Sequence, residues 1–439
     1  MKRIGSKKII VCACMVLLII ASAAIVFYQK AKQPEVIRVG VFAGSPWGVP
    51  DAYTYEFIDD VVAKFEAENS GVKIEYVSGI MSDEYSEWLS GKIVGGDAPD
   101  VFMVLPQDFS TLQKTGSLLA LDSLIKQDSE FDVNKFYSGA YDFGSVGSSQ
   151  YALPLECVPE MMFVNKTLLA KEAILTPDTD WTWDEFYDIC KKITKDTDGN
   201  GVIDQFGVYN YNWRQAFLTN SVMPFNEDGS KCSIQGENAI EAIEFLQEMH
   251  SLTEGTVVTA NDFDRGKVAF MPLTLAEYRT YKPYPWSIKR FSSFDWECVT
   301  LPKGPHGDNI SRMNTLLMGI NSRTKKKQLS WKLIKTFCYD KEIQSDIYKY
   351  RAGGAALNSI LNEQQVLLIE NQELPKDGSI NVRIINSIME NAIEEYNFKD
   401  ATTAMNMLNQ GIDEIIQNDK NPEISLKQLQ REINYSFSK

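Results

Sequence analysis

Two histidines in 439 residues leave almost no imidazole for a catalytic triad, a zinc centre or a pH switch. The nucleophile elbow G-x-S-x-G, the zinc-protease H-E-x-x-H and the phosphate-cradling G-x-x-x-x-G-K-[ST] are all missing, so the commonest hydrolase and nucleotide-binding machineries are excluded. Cysteine is sparse as well. Cys12 and Cys14 sit near the start of an apolar run, and Cys157, Cys190, Cys232, Cys298 and Cys338 are scattered over the rest without a C-x-x-C pair. That is neither a zinc-ligand spacing nor a disulfide framework, and the five read as mostly buried free thiols with at most one bridge. Basic charge is in deficit: 44 Lys and Arg stand against 59 Asp and Glu, a net charge of −15. The first 35 residues hold six of the cations and one acid, Glu35, which leaves −20 on the remainder. A body that acidic repels phosphate backbones, so nucleic acid is excluded as a partner. There is no internal repeat and no low-complexity tract.

What is present begins with the amino terminus. Lys2, Arg3, Lys7 and Lys8 precede an uncharged run from Ile9 to Tyr28, long enough as a helix to cross a bilayer with the basic end inside. Ala21-Ser22-Ala23 offers a signal-peptidase site, yet Ala24 to Tyr28 stays apolar beyond it, which favours a retained anchor. No cysteine stands at the end of the run, so lipidation there is not expected. The expected location is the outer face of the cytoplasmic membrane, with residues 1–35 as signal-anchor and linker.

The remaining length is too great for one compact domain of the usual size, and two lobes are expected. Val36 to Phe42, Val72 to Val77 and Asp100 to Leu105 read as strands, separated by a helix through Phe57, Ile58, Val61 and Phe65 and another around Trp88, Leu89 and Ile93. That alternation predicts an α/β fold with parallel βαβ units. Further on, Thr182-x-x-Glu185 caps a helix, Gly266 to Met271 begins a strand, Trp296 to Leu301 and Leu316 to Ile320 read as strands returning to the first lobe, and the chain is mainly helical after Lys325. The expected division is lobe 1 over 36–155 with 275–335 returning to it, and lobe 2 over 156–274 with 336–439 packed mostly on it.

Tyr151 to Lys166, read as a strand carrying a proline and an acidic residue and then an aromatic strand ending in Asn165-Lys166, followed by the capped helix at Thr182-Trp183-Asp184-Glu185-Phe186, resembles the first interlobe crossover of the sugar-type extracellular solute-binding proteins of ABC transporters. Gly95 to Val101, Gly266 to Met271, Trp296 to Pro305, Ser330 to Lys335 and Leu426 to Asn434 extend the resemblance in the same order over nearly all of 36–439. It implies a two-lobed periplasmic-binding-protein type II fold with a hinge, a carbohydrate held between the lobes, delivery to membrane permease subunits, a monomer, and no catalysis. One departure is that Val104-Leu105-Pro106-Gln107-Asp108 lacks the aromatic of maltose-type relatives, so maltodextrin itself is not implied.

A sugar cleft wants aromatic platforms beside carboxylates and amides. Trp47 in the loop after the first strand, Asp108, Glu156 at the crossover, Tyr211 and Trp213 in Tyr209-Asn210-Tyr211-Asn212-Trp213-Arg214, and Glu277 and Trp286 after the second crossover are the candidates. Arg214, Arg279 and Arg351 could supply a local basic pocket. Asp196, Asp198, Asn200, Val202 (through its carbonyl) and Asp204 reproduce the first nine positions of an EF-hand loop, so structural Ca2+ is expected there, weakened because position 12 is Gly207. Two other roles stay open at this point: a ligand-sensing subunit of a membrane signalling system, whose cleft would read identically, and an extracellular glycoside hydrolase, for which no carboxylate pair stands out.

Overall fold

A computed structural model describes residues 34–50, 53–226, 229–279, 294–362, 382–394, 398 and 401–437. The expected anchor and Trp286 lie outside these residues. Among the described residues no helix is long and apolar enough to cross a membrane.

Among the described residues ten strands form one sheet: β1 (Glu35–Gly40), β2 (Val72–Tyr76), β3 (Val101–Val104), β4 (Ala152–Asn165), β5 (Phe206–Val208), β6 (Val268–Thr274), β7 (Trp296–Val299), β8 (Arg312–Ile320), β9 (Gly354–Ala355) and β10 (Ile393–Glu394). The path runs β2-β1-β3-β8-β4-β6-β5. β1 pairs in parallel with β2 and β3, the result of βα connections such as the helix Thr54–Glu68, whose Phe57, Ile58, Val61 and Phe65 face the sheet at helical spacing.

The long strand β4 makes two lobes out of one sheet. Its first half, from Ala152 to Pro159, pairs with β8, and its second half, from Glu160 to Val164, pairs with β6. Two separate cores flank this division. One gathers Ile37, Phe57, Val101, Phe102, Leu153, Leu317, Trp331 and Ile347; the other gathers Phe163, Trp181, Phe186, Phe270, Ile243 and Leu426. The fold is the expected two-lobed α/β arrangement, discontinuous in sequence.

The lobe boundaries differ from expectation in three places. Leu275, Tyr278, Cys298 and Leu301 belong to the second core, because β7 pairs antiparallel with the second half of β4, Trp296 against Asn165. The return to lobe 1 therefore comes with β8, not at 275. Phe337, Cys338, Ile343 and Ile347 pack in the first core, so the chain leaves lobe 1 only at about Tyr348. Phe136, Tyr137 and Ala140, inside the stretch expected for lobe 1, contribute to the second core. Periodicity tells which face of an element is buried, not which partner buries it. Cys157, Cys190, Cys232, Cys298 and Cys338 are all buried and unbridged.

Candidate functional site

In open α/β sheets ligands bind beyond the carboxyl ends of the parallel strands, and β4 connects two such edges. On the lobe 1 side the loops after β1 and β3 carry Trp47 and Asp108. Opposite Leu316 and Leu317 the register of β4 shifts, leaving Leu155 as the extra residue. A bulge of this kind re-aims the following side chain, and here that side chain is Glu156.

Glu156 is fully buried, and its carboxylate is saturated. Its Oε1 accepts from Trp47 Nε1 at 2.9 Å and from the Gly353 amide at 2.6 Å. Its Oε2 accepts from Arg351 Nε at 3.0 Å and Nη2 at 2.9 Å. Arg351, also buried, gives Nη1 to Thr54 Oγ1 at 3.2 Å. Room is tight: a Cβ on Gly353 would stand 2.6 Å from Glu156 Oε1. A buried charge persists only when paired and hydrogen-bonded, and this carboxylate ties the β1 loop, the crossing strand and the segment 348–354 together. Beside it Trp47 packs against Val49, Val158, Ala276 and Ala352, an apolar plug drawn from both lobes.

Arg279 is likewise consumed by structure, donating Nη1 to the carbonyls of Arg351 and Gly353 at 2.7 Å each. Arg279 and Arg351 thus brace the hinge and do not form the basic pocket that sequence allowed.

Asp108 accepts from Ser86 Oγ at 2.6 Å. Burial pushes its carboxyl above the ordinary range, with the Ser86 bond opposing. It is half-buried at the carboxyl edge of β3, suited to accept from a hydroxyl.

On the lobe 2 side Tyr209 continues β5, its amide donating to Phe270 O at 3.0 Å. Asn210 then takes a positive φ of 62°, tolerable for Asn, and the chain turns into a helix Trp213–Thr219 opened by an Asn212-x-x-Gln215 capping box. That box was readable in the sequence and decides the fate of Trp213. At the first helical position its ring is 2 % exposed, and Nε1 donates to Asn409 Oδ1 at 2.8 Å. Trp213 is a core residue here, not an open platform. Tyr211 is half-buried, accepting from Trp183 Nε1 at 3.1 Å against the ring of Phe186, and burial raises its phenol. Glu277 caps its own helix, Leu275–Arg279, accepting from the Thr274 amide and hydroxyl at 2.8 Å.

Glu160 was missed by sequence reasoning. It shares the Glu156 face of β4 by alternation, about 13 Å further along, and accepts from Gln215 Nε2 at 2.6 Å. The available signal was a second acid, four residues after Glu156, in a mostly apolar stretch. The structure therefore brings Trp47 and Glu156 into contact, sets Asp108 on the same edge, and places Tyr211, Glu160 and Glu277 at the other lobe's edge.

The Asp196–Asp204 loop is organised by its own amides. Asp196 accepts from the amides of Asp198, Gly199 and Gly201, the last at 2.7 Å, which lowers its carboxyl below the usual range. Asp204 accepts from the Thr197 amide and hydroxyl at 2.8 Å and pairs with Lys267 at 3.2 Å; the Thr197 amide is the main cause of its fall to about 2. Gly207 has no space for a ligand side chain, since a Cβ would meet Cys190 at 2.4 Å. Among the described residues no group of three or more His, Cys, Asp or Glu side chains is placed to hold a metal ion.

Comparison with known proteins agrees with this architecture. A curated relative, an uncharacterized lipoprotein encoded in the oleD 5' region of Streptomyces antibioticus, is 28 % identical over 166 residues, 37 % of this chain and 35 % of that one. The chain thus matches about a third of that relative's length. Among solved structures, an ABC substrate-binding protein from Listeria monocytogenes in complex with cycloalternan superposes with a TM-score of 0.66 at 20 % identity, covering 92 % of this chain and 99 % of that one. The cyclic alpha-maltosyl-1,6-maltose binding protein from Arthrobacter globiformis gives 0.74 at 14 % identity over the same shares. At these identities the likeness speaks for the fold. The family model for bacterial extracellular solute-binding proteins matches residues 49–344, and the chain belongs to that family.

Proposed function

We propose that this protein captures a carbohydrate, a mono- or oligosaccharide, between its lobes and hands it unchanged to the permease of an ABC importer. The observation that carries the reading is the Trp47–Glu156 contact on the strand joining the lobes, with Asp108 on the same edge and Tyr211, Glu160 and Glu277 on the facing one. Aromatic faces suit the apolar faces of sugar rings, and carboxylates suit their hydroxyls. Ligand that touches both edges stabilises the closed state and so shifts a hinge equilibrium. Proteins of the same fold were solved with cycloalternan, maltotetraose, acarbose and mannotriose, hydroxyl-rich rings without a common charge.

Binding without chemistry is favoured over hydrolysis because Glu156, the most deeply placed carboxylate of the site, is fully engaged by Arg351, Gly353 and Trp47. A glycosidase acid or base must reach the glycosidic oxygen or a water. We further propose a monomer held at the outer membrane face by residues 9–28. Calcium at Asp196, Asp198, Asn200, Val202 and Asp204 is proposed as a weak structural occupant, supported by the oxygen donors at their loop positions and by an Asp196 kept ionised by loop amides. Its low affinity follows from Gly207 and from the Lys267 pair at Asp204.

Calorimetry of the purified protein against sugars chosen by a thermal-shift screen, with product analysis of the recovered sugar, tests the reading. Intact sugar bound with one-to-one stoichiometry is the expected result. Cleavage would assign the protein to the hydrolases, and inertness to every saccharide would remove the carbohydrate assignment.

A further inference from the structure

Opposite the cleft, at the amino edge of the lobe 1 sheet, lies a polar pocket of about 280 Å3. Its wall carries Arg38, Arg323, Lys325 and Lys326 against one carboxylate, Asp100, in a body whose overall charge is strongly negative. Backbone bonds fix its position. The Asp100 amide donates to Arg38 O at 2.8 Å and the Asn321 amide to Asp100 O at 2.9 Å, so β1, β3 and the end of β8 stand side by side there.

The cations are not all spent within the protein. Asp100 takes Thr324 Oγ1 at 2.6 Å and Lys326 Nζ at 2.9 Å, and Arg38 and Lys92 share Asp97. Arg323 and Lys325 are exposed and make no ion pair among the described residues, and exposed Lys327 extends the patch. Of the other exposed acids of this edge, Glu35 and Glu68 lie on the β1–β2 side, away from β8, and Asp122 lies beside Gln150 at the start of β4, where its carboxylate accepts from the Gln150 amide.

Glu35, at the start of β1, belongs to the same edge. Residues 29 to 34 separate it from the end of the apolar run at Tyr28, a stretch reaching at most about 20 Å when extended. If residues 9–28 are held in the membrane, as proposed above, lobe 1 is tethered by the edge that carries the basic pocket.

We propose that this pocket and its rim bind the phosphate of an anionic lipid headgroup, docking lobe 1 on the membrane by its amino edge. The proposal rests on the anchor reading above. The carboxyl edge and the cleft then point away from the lipid, open to solute. Without such a patch the acidic body would be repelled by an anionic surface, within a screening length of about 8 Å at physiological salt.

Full-length protein is mixed with vesicles of phosphatidylcholine alone or with roughly one-third phosphatidylglycerol, a composition giving a negative surface. Flotation in about 1 M NaCl, where the screening length falls to about 3 Å, reads the anchor. Acylation of Lys325 by a water-soluble ester, measured by mass spectrometry against Lys231 on lobe 2, reads the pocket. Lys325 is expected to react several-fold more slowly on the anionic vesicles at low salt only, with Lys231 unchanged, and Arg323→Gln should reduce that protection. Equal Lys325 rates on both vesicles, with the protein floating, overturn the pocket and leave the anchor standing. Salt-sensitive flotation on anionic vesicles alone, with Lys325 protected, supports the pocket and removes the anchor. Neither flotation nor protection removes both. Equal protection by inorganic phosphate without vesicles makes this a free-phosphate site and overturns the lipid assignment.

Discussion

Trp47 Nε1 and Glu156 Oε1 meet at 2.9 Å, joining a loop of lobe 1 to the strand that crosses into lobe 2. The same carboxylate holds Arg351, whose side chain and that of Glu156 are each 1 % exposed. Removing one partner of a buried pair strands the other charge at a cost of about 3–5 kcal/mol. Arg351→Ala is expected to lower the unfolding free energy by that amount in urea titrations. Glu156→Gln combined with Arg351→Met should recover most of it, because no lone charge remains. A loss below about 1 kcal/mol in Arg351→Ala would mean the pair contributes little to the hinge.

Trp47 is half-buried beside Glu156, and the proposed sugar site counts its ring among the ligand contacts. Trp47→Ala should weaken binding of the best sugar found by thermal shift by about 1–3 kcal/mol, the order of a lost aromatic anchor, and Trp47→Phe should keep more of it. Equal losses in calorimetry would place the contribution in the Glu156 bond and not in the ring face.

Trp213→Ala is expected to act on stability. Its buried indole and Asn409 bond predict a loss of about 3–5 kcal/mol in ligand-free protein. A mutant that melts normally but binds sugar poorly would return Trp213 to the site.

Burial raises Asp108 above its unfolded value, so ionisation opposes folding. The penalty is complete above the folded pKa, shrinks as pH falls through it, and is absent below the unfolded value near 3.8. Asp108→Asn should therefore raise the melting temperature at neutral pH, with the gain fading toward acid, while weakening sugar binding. A gain that persists unchanged at low pH would point to packing and not to charge.

For calcium, chelator should lower the melting temperature of the wild type, and Asp198→Ala should abolish that sensitivity. Superimposable melts with and without chelator would leave the Asp196–Asp204 segment as a turn closed by its own amides.

The amino-acid sequence by itself determined the alternation of strands and helices in lobe 1, the crossing strand around Glu156, the discontinuous pair of lobes and the buried, unpaired thiols. These follow from periodicity, turn residues and composition, which act locally along the chain. It also contained the Asn212-x-x-Gln215 box that puts Trp213 on a helix. Only the tertiary structure decided which lobe each strand joins, as with Trp296–Val299, because strand partners are chosen by long-range pairing that periodicity does not encode. It alone decided that Arg351, far along the chain from Glu156, neutralises that carboxylate, and that Arg279 serves backbone carbonyls. A buried charge takes whatever counter-charge and donors the fold brings within about 3 Å, and that neighbour is set by the packing of three crossing segments.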